Sequence, residues 1–235
     1  MVSRRLFLAI TGGTLLTPRS LWEAKMNAVP DSLDHILLGC KDLESGIAFV
    51  EQRTGVRAAM GGVHPGRGTR NALLALGGLR YLEIIAPDAK QEATERSREL
   101  QNLSEPRLIG WAAHPDRAAG IAERFRKEGI QSRGPTDGSR VRPDGRTLHW
   151  KTVNLEDNRD GLLPFFIEWS KETEHPSTDA PGGCRLTHFG AVSPDPEELA
   201  GVYRRIGIEI SIERGERAGL RARIRGPRGE FAAVS

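Results

Sequence analysis

The segment Leu33-Asp34-His35-Ile36-Leu37-Leu38, followed by Asp42-Leu43-Glu44, decides how this chain folds. The first part is a short and mostly apolar run, which predicts a buried strand. Asp42 predicts the start of a helix, because a carboxylate at this position can accept hydrogen bonds from free backbone N–H groups. Gly55 suits the end of that helix. The apolar positions between them are spaced by four and three residues, as on one helix face, and they are Leu43, Ile47 and Val50.

Three further strands follow this helix, so the first unit has the order β-α-β-β-β. They are predicted at Val56–Val63, Ala72–Leu76 and Tyr81–Ile85. The same order recurs twice along the chain. His35 lies seven residues before Asp42, and His188 lies seven residues before Asp195. A repeat of about 50 residues indicates tandem copies of one supersecondary unit.

The repeats divide the chain into six segments. The second unit is expected to open its helix at Asp116 and to end it at Gly129, with a turn at Asp137-Gly138 before its later strands. The third unit is expected to open its helix at Asp195. The predicted boundaries are a leader at 1–29, module 1 at 30–89, a linker at 90–106, module 2 at 107–170, a linker at 171–184 and a partial module 3 at 185–235.

Composition and charge exclude several classes of protein. Hydrophobic residues make up 38% of the 235 residues, which is enough for a packed core. Two cysteines are too few for a disulfide-built fold. The formal net charge is +3, and residues 1–29 alone carry four basic residues against one acid, so the remaining chain is neutral. The basic character therefore gives no support for nucleic-acid binding. No apolar stretch approaches the roughly 18 residues of a membrane span.

The N-terminal residues indicate a targeting signal. Ser3-Arg4-Arg5-Leu6-Phe7-Leu8 precedes a short apolar run to Leu16 and resembles a twin-arginine export signal. This predicts a periplasmic or secreted protein. The alternatives are an unstructured extension, or a true start at Met26, and with either of them the protein would be cytoplasmic. A clean Ala-x-Ala cleavage site is missing before Pro30.

Four segments, in this order, resemble the glyoxalase-like domain of the vicinal oxygen chelate superfamily, which also includes bleomycin resistance proteins and extradiol dioxygenases. The resemblance covers about residues 31–200, and its segments are Leu33–His35, Gly61–Leu73, Tyr81–Asp88 and Leu163–Trp169. It implies an α+β fold of tandem βαβββ modules that form a cup-shaped mixed sheet. Two modules would be paired and the third, shorter one would be added to them.

The resemblance also implies a metal site in the cup. The ligands would be His35, Glu83 and Glu168, since the equivalent position in module 2, Ile109 or Gly110, cannot ligate. Two carboxylates in equivalent apolar strands would repel each other, and a divalent cation removes that conflict. The cofactor would be one divalent ion, either Zn, Mn, Fe, Ni or Co. The plainer alternatives are a structural histidine and glutamates that pair with arginines.

Other polar and aromatic residues are candidates for substrate contacts. His64 is a candidate base, Arg70 a candidate partner for an anionic group, and Asn71 a candidate hydrogen-bond donor to a carbonyl. The same segment also suits an ordinary turn. Trp150 would either line the cup or fill the core. His188 would be a ligand if module 3 joined a pair, and structural if module 3 only covered an open edge.

The expected function is a glyoxalase-like, metal-dependent lyase or isomerase acting on a small oxygen-bearing substrate through an enolate-type intermediate. Glu83, Glu168 and His64 are the catalytic candidates. One alternative is a metal-free protein that binds and sequesters a small molecule. Another is an extradiol-type dioxygenase, which needs two histidines and a carboxylate on iron and would require His64 or His188. A homodimer is possible through module 3.

Overall fold

The computed structural model describes residues 29–235, so all of the predicted export leader except Val29 lies outside the described residues. Strands and helices alternate in the order strand, helix, three strands, and this order occurs three times, with one extra helix after the first set. The first set is β1 Leu33–Gly39, α1 Leu43–Thr54, β2 Ala59–His64, β3 Thr69–Ala75 and β4 Tyr81–Pro87, followed by α2 Glu95–Gln101. The second set is β5 Arg107–Ala113, α3 Ala118–Lys127, β6 Ser132–Val141, β7 Thr147–Leu155 and β8 Phe165–Trp169. The third set is β9 Arg185–Ser193, α4 Pro196–Arg205, β10 Ser211–Arg214, β11 Gly219–Gly226 and β12 Gly229–Val234.

Strands β1 to β8 form a closed barrel where the resemblance implied a cup-shaped mixed sheet. Their order around the barrel is β1-β4-β3-β2-β6-β7-β8-β5. The two halves meet along a long antiparallel pairing of β1 with β5, and at β2 and β6 through the single pair Val63 and Val141. The closed sheet surrounds an interior space, and side chains from alternate positions of each strand point into it.

The third set of strands forms a separate sheet in the order β10-β9-β11-β12. It packs against the outside of the barrel and its helices through aromatic contacts. Phe189 of β9 lies edge-on to Trp111 of β5, with ring centroids 5.2 Å apart, and Phe231 lies in the same way against Phe49 of α1 at 6.3 Å. Tyr203 of α4 donates a hydrogen bond to the carbonyl of Leu162 at 2.6 Å. This segment has all five elements and does not contribute a strand to the barrel.

The helix starts show which local signals decide the structure. Helix α1 begins as predicted, with Asp42 accepting from the backbone N–H of Ser45 at 2.8 Å. The predicted cap Asp116 is wrong, because α3 begins one residue later than expected for it and Arg117 is its N-cap without a side-chain hydrogen bond. The free N–H of Ala118 donates instead to Glu168 of β8 at 2.7 Å.

Within residues 29–235, no helix has the length and apolar character needed to cross a membrane.

Strand β6 passes through the turn that was predicted at Asp137-Gly138. It continues to Val141 and pairs along its length with β7. Gly138 lies against the indole of Trp150, where an added Cβ would come within 2.4 Å of Nε1. The glycine therefore provides room for the tryptophan and does not mark a turn. As a result, the end of β6 carries Arg140 into the barrel.

Candidate active site

The barrel encloses a cavity of about 490 Å³ with two chemically different sides. Strands β1 to β4 and the end of β6 supply most of the polar groups, whereas β7 and β8 supply an aromatic and apolar wall. Such a concave and mostly apolar space with a few convergent polar groups is typical of a small-molecule site. The polar side includes His35, His64, Thr69, Asn71, Glu83 and Arg140, and the apolar wall includes Trp150, Phe165, Ile167 and Trp169.

A bulge in β1 places two consecutive side chains on the same side of the strand. The pairing register with β5 shifts between Leu33 and His35, which leaves Asp34 as an extra residue. Asp34 Oδ1 consequently lies 2.6 Å from Nδ1 of the buried His35. This contact fixes the ring orientation of His35 and leaves its Nε2 directed toward Glu83 in the cavity.

Asp34 is held from its other side as well. Trp169 Nε1 donates to Asp34 Oδ2 at 3.1 Å, and His175 Nε2 lies 3.3 Å from the same oxygen. Burial alone would raise the pKa of Asp34, but its contacts with His175 and His35 outweigh burial and hold that pKa far below its usual value. Asp34 therefore stays ionised and keeps a negative charge behind the ring of His35.

Glu83 lies between two imidazole rings in the cavity. Its Oε2 is 3.5 Å from His35 Nε2, and its Oε1 is 3.5 Å from His64 Nε2. Burial favours the neutral carboxyl group, but the charges of His64 and His35 and a hydrogen bond from Asn71 lower the pKa of Glu83 below its usual value. The carboxylate is thus ionised at neutral pH and is surrounded by groups that can exchange a proton with it.

Asn71 and Arg140 complete the polar cluster around Glu83, whose other members are His35 and His64. Asn71 Nδ2 donates to Glu83 Oε1 at 2.6 Å, while Arg140 Nη1 donates to Asn71 Oδ1 at 2.6 Å. The arginine identifies which side of the amide is oxygen, so the NH₂ group must face Glu83. The side-chain amide of Asn71 thus links the guanidinium of Arg140 to the carboxylate of Glu83. Both charged groups face the cavity.

His64 is the second imidazole that faces Glu83. Its Nδ1 lies 2.9 Å from Thr69 Oγ1, which holds the ring in place. Burial lowers the pKa of His64 against the opposing effect of Glu83, and the positive charges of Arg140 and Arg67 lower it further. The lowered pKa favours the neutral imidazole, which is able to accept a proton.

Five of the residues singled out in the sequence line this cavity, and they are His35, His64, Asn71, Glu83 and Trp150. Two others do not. Ile167 and Trp169 line the cavity, so the residue between them, Glu168, points outward and caps α3. Arg70 likewise alternates with Thr69 and Asn71, and its charge acts outside on Asp42.

His188 belongs to the second sheet. Its Nε2 lies 3.8 Å from Glu213 Oε1 in the same sheet, away from the barrel cavity. It therefore supplies no ligand to the barrel, and the structure corrects the idea that it could complete a site there. The position matches the structural alternative considered for this residue.

The metal site expected from the sequence does not assemble, because Glu168 faces away from His35 and Glu83. His64 replaces it in the cavity and provides a second imidazole. These donor types suit a divalent ion, and Asp34 and Thr69 hold the outer nitrogens as they would for a metal-bound histidine. Yet no three His, Cys, Asp or Glu side chains among residues 29–235 are close enough together to hold one ion. The residues therefore do not fit a metal in the arrangement described.

Sequence reasoning missed three members of the cluster. Asp34 and His35 are neighbours in a strand, so alternation placed them on opposite faces, and no local signal reveals the bulge. His175 lies in the predicted linker, where a histidine is usually solvated. Arg140 lies beyond the wrongly predicted turn at Asp137-Gly138, which removed it from consideration as a strand residue.

Comparison with known proteins places the chain in a family. The model of the glyoxalase-like domain matches residues 33–207, most of the chain. A search of proteins with curated functions finds no match to this sequence.

Solved structures give a likeness in fold. A hypothetical protein from Staphylococcus aureus is 15% identical with a TM-score of 0.60, and the match covers 85% of this chain and 84% of that one. Methylmalonyl-CoA epimerase from Mycobacterium tuberculosis is 18% identical with a TM-score of 0.44, covering 62% of this chain and 93% of that one. A mutant 4-hydroxymandelate synthase from Streptomyces coelicolor is 16% identical with a TM-score of 0.48, covering 88% and 63%. The last two likenesses are weaker than the first.

Proposed function

Because the chain belongs to the glyoxalase-like domain family, we propose that it is an enzyme that moves a proton next to the carbonyl group of a small oxygen-bearing substrate bound in the barrel. The observation that carries this proposal is the ionised Glu83, buried in the cavity with one histidine Nε2 at 3.5 Å from each of its oxygens. A carboxylate so placed is a general base with two neighbouring groups that can share its proton.

The reaction balances without an added reagent. Glu83 takes the proton from a carbon beside the carbonyl, and the electrons of the broken C–H bond move to the carbonyl oxygen to form an enolate. In a hydroxy ketone, the hydroxyl proton then passes to the former carbonyl oxygen and the proton on Glu83 returns to the former carbonyl carbon, which gives an isomer of the substrate. Three arginines and one glutamate line the cavity, so its field is positive and stabilises the enolate oxygen, the arginines being Arg67, Arg96 and Arg140.

The two histidines have different supporting roles in this scheme. His35 is held by the ionised Asp34, which stabilises a proton that reaches its ring. His64 has a lowered pKa and returns its proton readily. The proton on Glu83 can therefore pass to either histidine. The histidine that receives it decides to which position of the substrate it is returned.

Hydrogen exchange tests this proposal directly. The protein is incubated in D₂O with a panel of small 2-oxo acids and hydroxy ketones, and the loss of C–H signal is followed by ¹H NMR. We expect exchange with at least one compound, and Glu83→Gln should slow it about 10²- to 10⁴-fold. Glu168→Gln is the matched control, since this carboxylate faces away from the cavity and its variant should retain the rate. Absence of exchange with the wild type would contradict the proposal and favour a binding protein without chemistry.

A metal-dependent form of this reaction is the second candidate, favoured by the two Nε2 atoms that face Glu83. His35, His64 and Glu83 would hold the ion after moving closer together. A bound divalent ion would supply Lewis-acid stabilisation of the substrate oxygens. The extradiol-type alternative also depends on this set, because it needs two histidines and a carboxylate on iron.

A further inference from the structure

Arg140 is a buried cation without a counter-ion of its own. It is 3% exposed, and its hydrogen bond through Nη1 goes to the neutral amide oxygen of Asn71. Among residues 29–235, no carboxylate is within salt-bridge distance of its guanidinium, although Glu83 acts on it from farther away. Burial lowers the pKa of Arg140, which shows that the charge is held at a cost. A buried charge of this kind is normally paired.

The neighbouring arginines show the usual arrangement. Arg142, two residues along the chain, forms an ion pair with Asp179, and Arg146 pairs with Asp144. Arg159 makes a two-pronged contact with Glu198. All of these pairs lie at the surface or partly exposed, where a charge needs a partner least. The most buried arginine of this group is therefore the one without an acid beside it.

Two adjacent glycines in β2 make room for the Arg140 side chain. A Cβ added to Gly61 would lie 2.5 Å from Arg140 Nη1, and one added to Gly62 would lie 3.1 Å from its Cγ. Any other residue at either position would push the arginine out of its place. The close passage of this side chain over β2 is thus a built feature of the cavity wall, and it directs the guanidinium toward the enclosed space.

The part of the cavity wall that β7 and β8 form is aromatic. Trp150 and Trp169 lie edge to face with ring centroids 5.4 Å apart, and Phe165 lies beside them in the lining. A cavity of about 490 Å³ accommodates one small molecule whose apolar body lies against this wall. A ligand that fills it has one end at the aromatic rings and the other at the polar cluster.

We infer that the substrate is a small carboxylic acid with an apolar or aromatic body, whose carboxylate pairs with Arg140 while its body contacts Trp150 and Trp169. A guanidinium presents parallel N–H groups that match the two oxygens of a carboxylate. When the carboxylate of the substrate pairs with Arg140, the carbonyl group next to that carboxylate lies toward Glu83. Glu83 and Arg140 are hydrogen-bonded to the same Asn71. This last placement rests on the proposed function, whereas the binding of the acid does not.

Binding of one acid and its neutral ester tests the inference. The probes are phenylglyoxylate and its methyl ester, and quenching of tryptophan fluorescence and calorimetry report their affinity. We expect the wild type to bind the acid at least tenfold more tightly than the ester. Arg140→Gln should weaken binding of the acid about 10- to 100-fold and leave the ester unchanged. Arg223→Gln, which removes an exposed arginine of β11, is the matched control and should bind both probes like the wild type.

The outcomes separate this inference from the proposed function. Arg140→Lys keeps the charge but loses the two parallel N–H groups, so it should recover part of the affinity. Unchanged binding of the ester by Arg140→Gln shows that this variant is folded. Glu83→Gln should bind the acid at least as tightly as the wild type while losing exchange. Selective binding of the acid by a protein that exchanges no proton would retain the inference and overturn the function. Equal affinity for acid and ester, or no binding of either, would overturn the inference.

Discussion

Asp34 Oδ1 lies 2.6 Å from His35 Nδ1, although the two residues are consecutive in a strand. Regular alternation would place them on opposite sides of the sheet. The bulge at Asp34 removes that alternation for one residue and turns a single strand into a source of both a histidine and the acid that orients it. Asp34 is also hydrogen-bonded to Trp169 and His175. The first strand, the last barrel strand and the linker after it therefore meet at one carboxylate.

Replacement of Asp34 by asparagine should slow hydrogen exchange while leaving substrate binding largely intact. The amide can still contact the ring, but it no longer stabilises a proton on His35, and it changes which ring nitrogen carries the hydrogen. We expect the rate to fall about 10- to 100-fold with little change in the affinity for phenylglyoxylate. ¹H NMR exchange rates and calorimetry measure the two effects. An unchanged rate would show that His35 takes no part in the proton transfer.

The low pKa of Asp34 predicts how acid affects stability. A carboxyl whose pKa is lower in the folded than in the unfolded state contributes stability above its unfolded pKa of about 3.9, and this contribution is lost as the pH falls through the folded pKa. The free energy of unfolding should therefore decrease below about pH 4. Asp34→Asn should lose less on acidification than the wild type. Urea unfolding at pH 7 and at pH 3 provides the comparison, and an equal loss in both proteins would contradict this role.

Much of the fold was predictable because local signals and tertiary packing agree. The cap at Asp42, the apolar spacing after it and the αL glycine at Gly55 all recur in the structure of α1. Strand β4 was predicted at Tyr81–Ile85 and is observed at Tyr81–Pro87. The closure of the barrel was not predictable, because it depends on pairing between strands far apart in the chain. The prediction of a turn at Asp137-Gly138 was wrong for a different reason, because Gly138 makes room for the indole of Trp150.

The site was predicted in part for similar reasons. His35 and Glu83 line the cavity, where the family resemblance placed them, and Glu83 follows strand alternation between Leu82 and Ile84. Glu168 obeys the same alternation but has the opposite phase, since its apolar neighbours face the cavity. A sequence shows that a charged residue lies among apolar ones without showing which face is inside. The placement of Glu168 was decided by the free N–H of Ala118, which needs an acceptor at the start of α3.

Glu168→Ala should lower stability without slowing exchange. It removes the acceptor for the N–H of Ala118, and loss of such a cap costs about 0.5 to 2 kcal/mol in the free energy of unfolding. Glu168→Gln keeps an acceptor oxygen and should lose less. Chemical unfolding and the exchange assay together report both quantities. A stable variant that has lost exchange would restore Glu168 as a catalytic residue.

The export signal predicted at the N-terminus can be tested in a bacterial host with a twin-arginine system. Twin-arginine transport depends on the paired arginines. We expect the full chain to appear in the periplasm without its leader, and Arg4→Lys together with Arg5→Lys to leave it in the cytoplasm. Fractionation and N-terminal sequencing give the answer. A wild-type protein retained in the cytoplasm, or one that starts at Met26, would contradict export.

Metal removal distinguishes the two forms of the proposed reaction. Arg140 is hydrogen-bonded to Asn71, which itself donates to Glu83, so a divalent ion bound at Glu83 would lie near a buried positive charge. We therefore expect protein purified without chelators to contain clearly less than one metal ion per chain, and exchange to survive dialysis against EDTA. Elemental analysis and the NMR assay measure both. His64→Ala supplies the control, because a metal held by His35, His64 and Glu83 would be lost with it. One ion per chain, activity abolished by EDTA and restored by a divalent ion, and reduced metal content in His64→Ala would together establish the metal-dependent form.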